Sequence, residues 1–181
     1  MLKIIIPESE SFDSEKEEFI QIKETSLQLE HSLVSISKWE SKWHKPFLDK
    51  NYKKTSEEVI DYIRCMTITQ NVDPNIYYSL TNENMKAIDD YINDSMTATW
   101  FSDKHEKNRQ QSVITSEIIY YWMIALNIPV EFQKWHLNRL LTLIKVCNEK
   151  NQPDKKVSKN AIRSQNRALN AARRKKLKSK G

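Results

Sequence analysis

The chain contains one glycine, and it is the last residue, Gly181. Glycine takes positive φ without steric cost and lets a backbone approach phosphate closely. A P-loop, a dinucleotide-binding turn and a Gly-x-Ser-x-Gly nucleophile elbow are therefore excluded in their usual forms. Strand-rich folds also lean on glycine at their tight turns. A 181-residue chain built this way is expected to be mainly helical.

The charge is divided unevenly along the chain. Residues 151–181 hold eleven Lys or Arg and one acid, Asp154, a balance of +10. The first 150 residues hold the other 18 bases and 23 acids, a balance of −5, so the whole carries +5. An acidic body thus bears a basic arm. Hydrophobic residues make up 39%, with five Trp, seven Tyr and five Phe, enough to fill one core. No apolar run approaches the roughly 18 residues that span a bilayer. Leu2 to Ile6 is too short for a signal peptide, so the expected place is the cytoplasm, without membrane contact. Cys65 and Cys147 lie far apart in apolar patterns. They read as buried, reduced thiols rather than a disulfide framework or a zinc site.

Leu2–Ile6 is a short β-branched run closed by Pro7, and Glu8 to Glu18 reads as an acidic, serine-rich loop. In Phe19–Glu30 the apolar alternation changes parity between Ile20/Ile22 and Leu27/Leu29, which predicts a bulge near Glu24. These segments form a two- or three-stranded antiparallel element that must pack on helices. From Leu33 the period becomes helical: Leu33, Ile36, Trp39 (or Glu40), Trp43 and Phe47, with Pro46 ending the helix. Thr55 and Glu58 have capping-box spacing before Val59, Ile63 and Met66. Asp73-Pro74 reads as an N-cap followed by a first-turn proline. Thr81 opens a helix striped by Met85, Ile88 and Ile92. Thr97–Phe101 is β-prone, and Asp103–Ser112 is a charged loop. Ser116–Asn127, capped by Thr115, is apolar nearly all round, which predicts a central position, with Tyr120, Tyr121 and Trp122 in the core. From Pro129 a further helix runs to about Asn148, burying Phe132, Trp135, Arg139, Leu140, Leu143, Val146 and Cys147. A polar linker follows, and Ser158 caps a last helix from Lys159 to about Lys178 whose apolar face, Ile162, Leu169 and Ala172, is thin. Such a helix is marginal alone and needs a partner or the body. The fold class is therefore mainly α with a small N-terminal antiparallel β element (α+β) and a basic C-terminal helical tail. The division is a body over 1–150, with its β-hairpin in 1–30, and a linker with basic helix over 151–181.

Little in this pattern carries catalysis. His31, His44, His105 and His136 show no metal-ligand spacing, and His136 beside Trp135 reads as a hydrogen-bonded helix histidine. Glu57-Glu58 and Asp89-Asp90 are explained by capping and by exposed helix faces. No catalytic residue, metal or cofactor is expected, and the chain reads as a non-enzyme. Two features read as partner-binding. Trp39 and Trp43 stand four apart, which suits a core or an aromatic docking ridge. The tail bases Arg163, Arg167, Arg173, Arg174, Lys175 and Lys176 suit an acidic protein surface, such as this body or another copy, or nucleic-acid phosphates. The tail has no interleaved aromatic residue, which weakens the case for stacking on single strands.

Several stretches resemble a family of tailed-bacteriophage proteins, the tail assembly chaperones. They are Leu29-Glu30-His31-Ser32-Leu33 running into Ser37-Lys38-Trp39-Glu40, and Met96-Thr97-Ala98-Thr99-Trp100-Phe101. Further stretches are Ile114-Thr115-Ser116-Glu117-Ile118-Ile119-Tyr120-Tyr121-Trp122-Met123 and Gln133-Lys134-Trp135-His136-Leu137-Asn138-Arg139-Leu140-Leu141, with Ala168-Leu169-Asn170 before the basic run. The resemblance spans nearly the whole chain. It implies a non-enzymatic helical chaperone that coats the tape-measure protein during tail growth, is displaced by tail-tube subunits and is absent from the virion. It also implies that a programmed frameshift can extend the chain. Tape-measure or other tail proteins and self-association are the implied contacts. The alternatives are a structural virion protein, such as a head–tail connector component, and a nucleic-acid-binding protein acting through the tail.

Overall fold

The alternating N-terminal residues pair as one long antiparallel ribbon. In the computed structural model, which describes residues 1–13, 18–101, 113–151 and 159–177, strand β1 (Leu2–Ile6) pairs with β4 (Thr25–Leu29). Strand β2 (Ser9–Asp13) pairs with β3 (Glu18–Ile22). Leu2 faces Leu29 and Ile6 faces Thr25; then Ser9 faces Ile22 and Asp13 faces Glu18. The register is unbroken, with Pro7 and Glu8 left unpaired across from Glu24 and Lys23. The parity change is therefore present without a bulge, because both strands skip the same number of residues. Pro7 has no N–H to give the ladder. At this break the buried face passes from Ile4, Ile6, Leu27 and Leu29 to Ile22. The expected loop over Glu8–Glu18 is corrected as well. Ser9–Asp13 is strand, because a partner strand lies opposite to take its backbone groups.

The helices follow their caps. Helix α1 (Leu33–Trp43) opens on a reciprocal box between Ser32 and Ser35, and ends at His44 with φ 53°, two residues before Pro46. Helix α2 (Ser56–Met66) opens on the expected box, with Glu58 N–H to Thr55 Oγ1 at 3.3 Å and Thr55 N–H to Glu58 Oε2 at 2.8 Å. Asp73 caps a 3₁₀ turn over Pro74–Ser79. Helix α3 (Asn82–Asn93) opens on a box between Thr81 and Asn84, and buries Ile88 and Tyr91. With no internal glycine, the left-handed positions fall to His44, Asn71, Met96 and Asn127.

Three expectations fail because tertiary or local bonds outweigh the pattern. Thr97–Phe101 forms no strand. The side chains of Asp94 and Thr97 take the N–H groups of Met96 and Thr99, local turns that compete with a ladder. Helix α4 (Ser116–Ala125) is not central: it buries Ser116, Ile119 and Met123, while Tyr121 is 66% and Ile124 77% exposed. Tyr120 and Trp122 are half-buried. The helix expected from Pro129 is split. A 3₁₀ turn spans Val130–Lys134, Trp135 is extended, and helix α5 covers Leu137–Asn151. The break arises because His136 bridges to Ser32, and Leu137 N–H reaches His31 O at 2.7 Å. Arg139 is exposed rather than buried, its guanidinium 4.1 Å from the Trp135 ring centroid.

The core gathers β1, β4, α1, α2, α4 and α5. Ile6, Leu27, Leu29, Leu33, Ile36, Trp39, Ile63, Met66, Ile119, Leu137 and Leu140 are fully buried in it. The architecture is mainly helical with a small N-terminal antiparallel element. The chain divides into two compact units, 1–147 and 148–181, and helix α6 (Lys159–Leu177) belongs to the second. The charged loop expected over Asp103–Ser112, with His105, and the cap expected at Ser158 lie outside the described residues. No described helix is long and apolar enough to cross a membrane.

Candidate partner-binding surfaces

The tryptophan pair is placed by α1, whose four-residue spacing stacks the two rings 6.3 Å apart at 30°. Trp39 is 0% exposed, and its Nε1–H donates to Glu58 O at 2.9 Å. No ring surface of Trp39 is open, so the docking ridge reduces to Trp43. That ring is half-buried, with Nε1–H donating to Asp61 Oδ2 at 2.8 Å. Lys42 pairs with the same carboxylate. The tryptophans thus brace α1 against α2. Two indole N–H groups near a core want acceptors, and Glu58 and Asp61 on the next helix provide them.

The buried acids of the body are all engaged. The Glu58 carboxylate accepts from Lys45 Nζ at 2.7 Å and from Tyr52 OH at 2.6 Å, which holds it down to about 2. Lys45 is raised by the same contact. The Glu40 carboxylate takes Phe47 N–H and Ser116 N–H, each at 2.8 Å, so a side chain from α1 caps α4. Thr115 occupies the cap position but makes no side-chain cap bond. Sequence spacing could not reveal this, because the partners lie 76 positions apart.

The two buried histidines meet. The rings of His31 and His136 are 5.1 Å apart and T-shaped. His31 Nδ1 bonds to Tyr62 OH. His136 Nδ1 accepts Asn138 N–H at 3.3 Å, so its Nε2 carries the proton that goes to Tyr91 O at 2.9 Å. Burial, and then His136, lower His31 to about 3, so it is neutral. Tyr91 OH donates to Glu30 Oε1 at 2.6 Å, and Glu30 Oε2 pairs with the N-terminal amine at 3.0 Å. His136 is therefore hydrogen-bonded, though it stands before α5 rather than within it. Each histidine is committed to a structural partner. His44 is spent on ending α1.

Cys65 and Cys147 are free and half-buried, and burial pushes the Cys65 thiol up to about 11. Among the described residues no group of His, Cys, Asp or Glu is placed to hold a metal ion. An open groove of about 380 Å³ is lined by Lys54, Ser56, Val59, Ile60, Tyr77, Tyr78, Leu80 and Met85. It offers one amine, one aliphatic hydroxyl and two phenols, and no carboxylate, imidazole or thiol.

The basic helix carries the remaining partner-binding residues. Between Lys159 and Leu177 it carries seven bases and no acid. Arg163, Arg167, Arg173, Arg174 and Lys176 are exposed, while the side chain of Lys175 is outside those described. Leu169 and Leu177 are also exposed. At about 100° per residue, Arg163, Arg167 and Arg174 fall on one line of the helix. Arg173 lies about 100° to one side of it, and Lys176 is nearly opposite. No family model, no curated protein and no solved structure matches the chain.

Proposed function

We propose that the chain is a non-enzymatic assembly protein, and specifically the tail assembly chaperone that the sequence resemblance implies. The observation that supports this reading best is α6. It is a 19-residue helix without an acid, and every side chain described on it is exposed. A helix of that composition has little reason to persist alone, because nucleation is costly and its bases repel one another. An acidic partner surface removes the repulsion and supplies the contact. On this reading binding is a matter for the surface. Weak contacts repeated along a client suit a factor that must later be displaced.

The test is co-expression with a tape-measure protein, the client this reading requires. The full chain should hold that client in the soluble fraction, and deletion of residues 159–177 should lower the yield. A client equally insoluble with and without the chain would reject the chaperone. Finding the chain in stoichiometric amount in purified particles would favour the connector reading. The absence of acids on α6 also favours a second reading, contact with nucleic-acid phosphates. That reading requires duplex affinity that falls steeply with salt and is lost with residues 159–177.

A further inference from the structure

Helix α3 bears an acidic line that matches the basic line of α6 position for position. Asp94, Asp90 and Glu83 are exposed and separated by four and then seven residues. Arg163, Arg167 and Arg174 are exposed and have the same separations in the opposite chain direction. Each set lies within about 40° around its helix. Run antiparallel, the lines place Arg163 opposite Asp94, Arg167 opposite Asp90 and Arg174 opposite Glu83, over about 16 Å. Asn170 then falls opposite the small Ala87, and the base of this face, Lys86, falls opposite Ala171. No like charges are brought together.

The acidic end of α3 wants cations on independent grounds. Its last turn contains no base, while Asp89, Asp90 and the C-cap Asp94 crowd the negative end of the helix dipole. Among the described residues no ion pair engages Glu83, Asp89 or Asp90.

We infer that α6 of one copy docks antiparallel on α3 of a second copy in this three-pair register. The inference rests on the reading of α6 as a docking helix, but requires no client. A second copy is the occupant because both lines are exposed in the single chain, Glu83, Asp90 and Asp94 on one helix and Arg163, Arg167 and Arg174 on the other, so each is open to another molecule. Each copy offers one helix and one face, so two copies can exchange helices reciprocally, and further copies can add head to tail.

Sedimentation velocity on the full chain, across a concentration series at an ionic strength of about 0.05 M, tests this. The parent should associate with increasing concentration. Arg167→Glu or Asp90→Lys alone should weaken association about tenfold, since each turns an attraction into a repulsion. Mixing the two variants, or combining them in one chain, should restore it, while Asp89→Lys, off the line, should weaken it far less. Glu83→Lys with Arg174→Glu repeats the test if either first variant fails to fold by circular dichroism. A parent that stays monomeric, or reversals that do not rescue each other, would overturn the register. Because no client is present, that failure is distinct from failure of the co-expression test.

Discussion

Acid should destabilise the body through His31, and the size of the effect follows from its position. His31 is 2% exposed, bonded to Tyr62, and 5.1 Å from the ring of His136. Burial lowers it from 6.5 to about 3, so the folded chain holds it neutral while the unfolded chain protonates it. The folded value is the lower one. Stability is therefore complete above the unfolded value and is lost as pH falls toward the folded one. From about pH 7.5 to about pH 5 this residue alone should cost about 2 kcal/mol, with a slope near 1.4 kcal/mol per pH unit below about pH 6. Glu58, held down to about 2, contributes only as pH falls below its ordinary 4.5, outside this window. Urea unfolding followed by tryptophan fluorescence should show the midpoint moving by about 1 M, given a slope of about 2 kcal/mol/M. His31→Asn should be less stable near neutrality by about 1–3 kcal/mol, because Tyr62 OH loses its shorter bond and keeps only Ser35 Oγ at 3.4 Å. That variant should lack the extra acid slope. If it keeps the full slope of the parent, the buried neutral imidazole is not its source and the reasoning fails.

The other predictions probe caps, indoles and left-handed residues. Glu40→Gln leaves an amide N–H₂ against Phe47 N–H or Ser116 N–H. It should cost about 2–3 kcal/mol in urea unfolding, and a loss under 0.5 would show that α4 does not depend on this cap. Trp39→Phe removes the bond to Glu58 O and opens a void, for about 2–3 kcal/mol, whereas Trp43→Phe at the half-buried site should cost under about 1; the reverse order would contradict the burial. Met96→Gly, at φ 50°, should raise stability by about 0.5–1 kcal/mol in thermal unfolding, and a loss would mean that the Met96 side chain packs more than its exposure suggests.

Local chemistry was legible in the sequence and distant chemistry was not. The boxes at Thr55/Glu58, the cap at Asp73 and the start at Thr81 depend on residues within a few positions of one another, and all form. So does the stripe Leu33, Ile36, Trp39. Thr97–Phe101 failed on local turns at Asp94 and Thr97, and the other errors came where a bond crosses the fold. His136 leaves the helical path because the His31–Ser32 segment and Tyr91 hold it and Leu137 from two other places in the chain. Helix α4 is capped by Glu40 from α1, and its all-round hydrophobicity gave no sign that Tyr121 and Ile124 would face outward. Trp39 and Trp43 share a face, as spacing requires, yet spacing does not say whether that face is a surface.

The charge asymmetry survives folding, and that bears on what α6 can bind. Burial could have hidden the acidic surplus of the body, leaving nothing for a basic helix to meet. Among the described residues three acids are buried: Glu40, Glu58 and Asp61. Glu58 and Asp61 take Lys45 and Lys42 with them, so those pairs do not alter the balance. Of these three, Glu40 alone, held by backbone N–H groups, removes a charge without a base, which takes one from the −5 of residues 1–150. The body therefore still presents net negative charge beside an arm of +10. Such attraction fades over about 8–10 Å in physiological salt, and exposed ion pairs are worth at most about 1 kcal/mol each. One isolated pair cannot hold two copies together. Several pairs met at once can, but only if their spacing agrees, which makes the shared spacing of α3 and α6 matter more than the total charge of either.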